Sequence, residues 1–206
     1  QRAYHHGDLR VALVRAAGAL LDESGPAGLT LRAAARRAGV SHAAPYRHFA
    51  SREALLMEVA LEGFARLRTA LHDAAAGGGR AVAQAYVRFA LSQPQRFRLM
   101  FAAGPASIDG ARWRDAMQEM VRAFAPAFSG LAPAQETQRA AAAAWALVHG
   151  LAQLTLDERI GPSASDPEAR HRFVAEVLGA VRFAVRAQPV QSATANPARP
   201  PIDRTP

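Results

Sequence analysis

Residues Thr30–Phe49, TLRAAARRAGVSHAAPYRHF, decide the fold. Thr30 is suited to cap a helix over Leu31–Ala38, because its hydroxyl can accept from a free amide of the first turn. Gly39 stands where such a helix ends, since glycine enters the left-handed region without strain. A short turn follows, and Ser41 is placed to cap another short helix from His42 to about Phe49. Pro45 falls in the first turn of that helix or just past it, where it removes only an early intrahelical bond. Ala34, Ala35 and Ala38 leave room for two helices to cross closely, and Val40 and Phe49 can anchor the pair to a preceding helix. This layout, helix, tight turn, helix, lays its second helix in the major groove of DNA. A plain helical hairpin has the same elements, so the side chains must separate the two.

They favour DNA. The second helix presents His42, Ala43, Ala44, Tyr46, Arg47 and His48. Small residues at its start allow close approach to base edges. The Tyr46 hydroxyl and the His48 ring suit phosphate oxygens. Arg47 can fork onto a guanine edge or hold a phosphate, and the backbone contact is favoured because most protein–DNA hydrogen bonds go there. Helix starts at Thr30 and Ser51 offer free N–H groups to an anion. Arg32 and Arg36 share a face that adds positive potential.

Working outward, Asp8 can cap a helix to about Ser24, with Leu9, Leu13, Ala16, Ala17, Leu20 and Leu21 as its apolar stripe and Gly25-Pro26 as its stop. Ser51 caps a long helix, Arg52 to about Ala75, whose buried face reads Leu56, Val59, Ala60, Gly63, Phe64, Leu67 and Leu71. Gly77-Gly78-Gly79 breaks the chain. Further helices are predicted near 80–92, 94–102, 109–129, 133–156 and 167–187, bounded by Pro94, Pro105, Pro133, Pro162 and Pro167. From Pro189 the composition predicts a disordered tail. The fold class is therefore all-α, with a head at 1–52, a helical body at 53–187 and a tail at 188–206.

The net charge of +8 is unevenly spread: residues 1–52 hold eight arginines against three acids, residues 53–206 seventeen against fourteen. A concentrated basic segment suits a polyanion. The chain has no lysine, so every fixed cation is a planar fork. With no cysteine, disulfides, thiolate metal sites and cysteine nucleophiles are excluded. His5 and His6 have no clear third ligand, so no metal is expected. Neither a signal sequence nor a membrane span is legible, and the expected setting is soluble and cytoplasmic.

Residues 4–64, YHHGDLR…GPAGLTLRAAARRAGVSHAAPYRHFASREALL…GF, resemble the N-terminal domain of TetR-type regulators. The spacing is specific: GVS, four residues, YRHF, then Ser-Arg-Glu-Ala-Leu. Arg52 stands where the family usually has lysine, and Pro45 where it usually has leucine. Tyr4-His5-His6-Gly7 and the run Trp145-Ala146-Leu147-Val148-His149-Gly150 resemble a subgroup with a Trp-x-x-x-His-Gly motif; past residue 64 the resemblance rests on that motif. It implies that Thr30, Arg32, Ser41, His42, Ala43, Ala44, Tyr46, Arg47, His48 and Arg52 face a double-stranded DNA operator. It also implies a bacterial, nucleoid-associated homodimer, usually a repressor, that answers a small molecule.

Tyr86, Phe89, Phe97, Met100, Phe101, Trp113, Met117, Met120 and Phe124 form an aromatic and methionine set in the body. Such a set is plain core or an adaptable cavity; the resemblance favours a cavity for a small apolar or amphipathic effector, no cofactor being expected. Trp145 and His149 belong to the same candidate pocket, His149 either as a hydrogen-bonded core residue or as a polar contact to the effector. The two last long helices are apolar on more than one side, so one side can meet a second copy. Trp145, Val148, Phe173, Val174, Val177, Leu178, Val181 and Val185 are the candidate interface. An enzyme is the rival class, yet the chain has no Gly-rich phosphate loop, nucleophile elbow or metal-ligand pair at helical spacing. A carrier or scaffold that has lost DNA binding is the third class, and intact Tyr46, His48 and Arg52 count against it.

Overall fold

The computed structural model describes residues 6–102, 108–128 and 134–181. Its regular elements are all helical: α1 His6–Gly28, α2 Leu31–Arg37, α3 Arg52–Ala74, α4 Gly78–Ser92, α5 Pro94–Phe101, α6 Gly110–Arg122, α7 Ala134–Leu156 and α8 Pro167–Ala180. No strand occurs among the described residues. No described helix is long and apolar enough to cross a membrane. The tail from Pro189 lies outside the described residues.

Local chemistry sets most boundaries. In α1 the backbone kinks at Gly25 (φ 67°), so the regular part ends near Ser24. Its start departs from expectation: α1 includes His6, which places Asp8 in the first turn rather than at the cap. Thr30 Oγ1 accepts from the Ala33 amide at 3.0 Å, and Ser51 Oγ from the Ala54 amide at 3.1 Å. Gly39 takes φ 69° just after α2, with nothing near the position a Cβ would occupy. Gly39→Ala therefore adds backbone strain without a clash. It is expected to cost about 1 kcal/mol, read as a lower urea midpoint at unchanged m-value.

The expected helix from His42 to Phe49 is instead a 3-10 turn over Ala44–Arg47. Pro45 is the cause. It lacks the amide that an α-helix would bond back to Ser41, and its ring disfavours helical geometry at Ala44. The Ala44 amide bonds to the Ser41 carbonyl instead, at 3.0 Å, and the Pro45 carbonyl accepts from both His48 and Phe49. Ser41 thus serves through its backbone, and the element has no side-chain cap.

Two apolar cores result. The head core gathers Leu13, Ala17 and Leu21 of α1, Leu31 and Ala34 of α2, Phe49, and Leu55, Leu56, Val59 and Ala60 of α3. The body core begins on α3 at Phe64 and takes in α4, α6, α7 and α8. Helix α5 serves both: Leu99 packs in the head, Phe97 and Met100 in the body. Each buried large side chain contributes about 1.5–3 kcal/mol relative to exposure. Helices α3 and α5 thus build both cores.

The last two helices correct part of the interface expectation. Val148, Val174 and Leu178 lie in their own subunit's core, and Phe173 and Val177 pack against it. Val148, Val174 and Leu178 are covered within their own subunit, while Phe173 and Val177 keep part of their surface exposed. The reason is that α4 lies against both α7 and α8, so a helix apolar on several sides is already covered on one of them. Helix α8 stops at Ala180; Val181 is extended, and Val185 lies outside the described residues.

Candidate functional site

Most of the residues expected to face DNA are exposed on the head. Thr30, Arg32, Ser41, His42, Ala43, Tyr46 and Arg47 are exposed, while Ala44 and His48 are half-buried. Tyr46 retains 55% of its surface, unusual for an aromatic side chain beside a packed core. The arginines divide into two groups. Arg10 bridges to Glu58 and sits 5.4 Å over the Phe49 ring, and Arg37 forks onto Glu23 at 2.6 and 2.7 Å. The side chains of Arg15, Arg32, Arg36 and Arg47 have no hydrogen bond or ion pair with the described residues. Arg32 and Arg36 lie on α2, and Arg47 on the 3-10 turn that also carries Tyr46.

Arg52 departs from the expected set. Its Nε donates to the Leu29 carbonyl at 2.7 Å and its Nη2 to the Pro26 carbonyl. It braces the link between α1 and α2 against the start of α3, satisfying carbonyls that the kink at Gly25 leaves over. Its guanidinium is occupied within the head rather than held out for phosphate.

In the body, the aromatic set converges on His149. Phe101, Phe97 and Trp145 lie with ring centroids 4.5, 5.5 and 5.5 Å from its ring, and Tyr86 at 6.3 Å. Tyr86 Oη lies 2.8 Å from His149 Nδ1, and Trp145 Nε1 donates to Tyr86 Oη at 3.2 Å. Tyr86, Phe97, Met100, Met120, Phe124 and Phe89 are buried; Phe101, Trp113, Met117, Trp145 and His149 are only partly so. Trp113 turns its indole to the Met100 carbonyl at 2.9 Å, tying α6 to α5. Trp145 therefore turns its indole N–H inward, to Tyr86, while part of its ring stays exposed. Among the described residues, no three His, Asp or Glu side chains gather to hold a metal.

Burial raises the Tyr86 hydroxyl above its ordinary range and lowers the His149 imidazole below 6.5. Native His149 is neutral near pH 7. The unfolded chain therefore binds more protons than the native one just below pH 6.5, and stability falls as pH drops through that window. Above it this contribution is complete. His149→Phe is expected to flatten the slope of unfolding free energy just below pH 6.5, measured by urea denaturation at a series of pH values.

The joint between the two parts carries a residue that the sequence reading missed. Arg96 on α5 is only 2% exposed. It reaches Asp22 of α1 at 2.9 Å and Glu62 of α3 at 3.3 Å. Helix α5 lies so close that a Cβ on Gly18 would stand 2.4 Å from the Arg96 guanidinium, and one on Gly63 2.6 Å from Met100 Sδ. Sequence offers a signal for it: an arginine among Phe97, Leu99 and Met100 on a short apolar helix has to find carboxylates. A second link runs through Glu58, which receives Arg10 of α1 and Arg112 of α6. Burial raises the Glu58 carboxyl, but the hydrogen bonds from Arg112 and Arg10 outweigh it and hold the group below its usual range.

Comparison with known proteins covers both parts. Residues 13–59 match the family described as bacterial regulatory proteins, tetR family, and residues 80–178 match the tetracyclin repressor-like C-terminal domain. A solved protein of unknown function from Rhodococcus sp. RHA1 is 33% identical, with a TM-score of 0.66, over 87% of this chain and 96% of its own. A TetR transcriptional regulator from Rhodococcus sp. RHA1 is 26% identical, with a TM-score of 0.53, over 84% and 95%. A putative TetR-family transcriptional regulator from Mesorhizobium loti MAFF303099 shares the fold at 18% identity, with a TM-score of 0.66, over 84% and 95%. No curated protein matches the chain.

Proposed function

The chain belongs to the tetR family of bacterial regulatory proteins and is a DNA-binding transcriptional regulator, not an enzyme; from that premise we propose that it is a repressor. In this reading a homodimer grips a pseudo-palindromic operator in the bacterial cytoplasm, and a small apolar or amphipathic effector releases it. The observation that carries the reading is the division of the head arginines. Arg32 and Arg36 on α2 and Arg47 on the 3-10 turn have side chains without a partner, and Tyr46 on the same turn is exposed.

Two heads on one duplex need their turns about 34 Å apart, or a related spacing. The outer faces of α7 and α8 support the pairing. Leu147 and Leu154 are 40% and 45% exposed, on a face with Ala143, Ala146 and Gly150, and α8 adds Ala175 and Gly179. Small residues allow two helices to approach closely, and the leucines supply apolar area. An effector seated among the body aromatics displaces Phe97 and Phe101, and with them α5. Arg96 then carries the shift to Asp22 in the head and Glu62 on α3. Operator affinity falls only as far as the effector prefers the displaced arrangement.

The test pairs sedimentation with footprinting on DNA fragments captured by the purified protein. The native protein is expected at twice the chain mass of 21.9 kDa, protecting two half-sites related by a dyad. Leu147→Arg with Leu154→Arg is expected to give the single-chain mass and to lose the footprint. A native protein that runs as a single chain while protecting DNA would refute the paired reading.

A further inference from the structure

We infer that the effector is a flat, apolar molecule carrying an uncharged hydrogen-bond acceptor, such as an aromatic ketone, recognised by the Nε2–H of His149. This rests on the reading of the aromatic cluster as the effector site and specifies its chemistry.

The inference follows from the polarity of the Trp145–Tyr86–His149 chain. An indole nitrogen can only donate. The Trp145 Nε1–H therefore donates to Tyr86 Oη, at 3.2 Å. Tyr86 has no exposed surface, so its own hydroxyl proton needs an acceptor inside the protein. His149 Nδ1, 2.8 Å away, is the atom within reach that can accept it. If Nδ1 carried the proton instead, two donors would converge on Tyr86 Oη, and its hydroxyl hydrogen would be stranded in the core. Nδ1 is thus unprotonated, the imidazole is neutral, and its one proton sits on Nε2.

No described residue accepts from Nε2, while the ring is half-buried among Phe97, Phe101 and Trp145. The cluster thereby presents one fixed, uncharged donor within aromatic walls. Flat apolar surface complements the walls, and a carbonyl or similar oxygen complements the donor. The three residues of the chain then have distinct parts: Trp145 sets the direction of Tyr86, Tyr86 sets the tautomer of His149, and His149 donates to the effector.

Two measurements on the full chain test this. Long-range 1H–15N spectra of the histidines at pH 7.5 should show His149, identified by its loss in His149→Phe, as the Nε2–H tautomer. Tyr86→Phe should shift it towards a mixture of tautomers. An Nδ1–H form or an imidazolium in the native protein would overturn the inference and leave the effector-site reading standing. Calorimetry then compares acetophenone with α-methylstyrene, which has the same shape but CH2 in place of the carbonyl oxygen. The ratio of their affinities should fall about tenfold from native protein to His149→Phe, the fold-change of one hydrogen bond of about 1.4 kcal/mol. A ratio unchanged in His149→Phe overturns the inference alone. Failure of both probes to bind the native protein overturns the effector-site reading and the inference with it.

Discussion

Arg96→Met is expected to destabilise the protein by about 2–3 kcal/mol and to cut the link between effector and operator. The guanidinium is buried between Asp22 and Glu62, whose side chains are 37% and 25% exposed. Removing one partner of a buried pair costs about 3–5 kcal/mol when the orphaned charge stays buried. Here water reaches the two carboxylates, so the lower figure applies. Removing all three charges, as Arg96→Met with Asp22→Asn and Glu62→Gln, is expected to recover most of the loss, because no buried charge is then left without a partner and Arg66, which loses Glu62, is exposed to water. Urea denaturation reads the stability of both variants. The coupling is read separately, as the change in DNA affinity on adding acetophenone at a saturating level. The native protein should show a drop, and the triple variant should keep its fold and DNA affinity while showing little drop. A triple variant that responds like the native protein would remove Arg96 from the transmission path and leave its structural role.

The second large effect is on the DNA side. In the proposed paired protein, Arg47→Ala is expected to lower the affinity for captured DNA about 100-fold, with no change in thermal stability, because the side chain is exposed and has no partner in the fold. A charged hydrogen bond contributes about 1.5 kcal/mol, and a dimer loses one per head. Tyr46→Ala is expected to weaken all DNA sequences alike, as loss of a backbone contact does. Selection of DNA by the Arg47→Ala protein decides what Arg47 touches. A preference relaxed at one position in each half-site assigns it to a base, and an equal loss on all sequences assigns it to phosphate.

What could be read from sequence was what depends on near neighbours. Thr30, Ser51 and Gly39 act on amides and torsions within a few residues, and the structure has each in the place its chemistry required. The buried face of α3 was legible for the same reason: Val59, Ala60, Gly63, Phe64, Leu67 and Leu71 repeat at helical spacing. Pro45 was recognised, but its consequence was underestimated, because a bond tolerable to lose in a long helix is most of the bonding in a short one. The sequence could not say which side of an apolar helix meets its own domain. Val148 and Leu147 are adjacent and both apolar, yet one is fully buried and the other 40% exposed, a difference set by where α4 lies. Arg52 looked like a phosphate ligand until the kink at Gly25 placed carbonyls within its reach. The gathering of Tyr86, Trp145 and His149 depends on contacts 59 and 63 residues apart, beyond any periodicity.

The central claim is that the head meets DNA as a polycation with the 3-10 turn in its groove. The most direct test is the affinity of the native protein for a captured DNA fragment, measured from about 50 to 200 mM salt. With about four phosphates neutralised per head, log affinity should fall against log salt with a slope of about −7. A slope near zero would contradict the account.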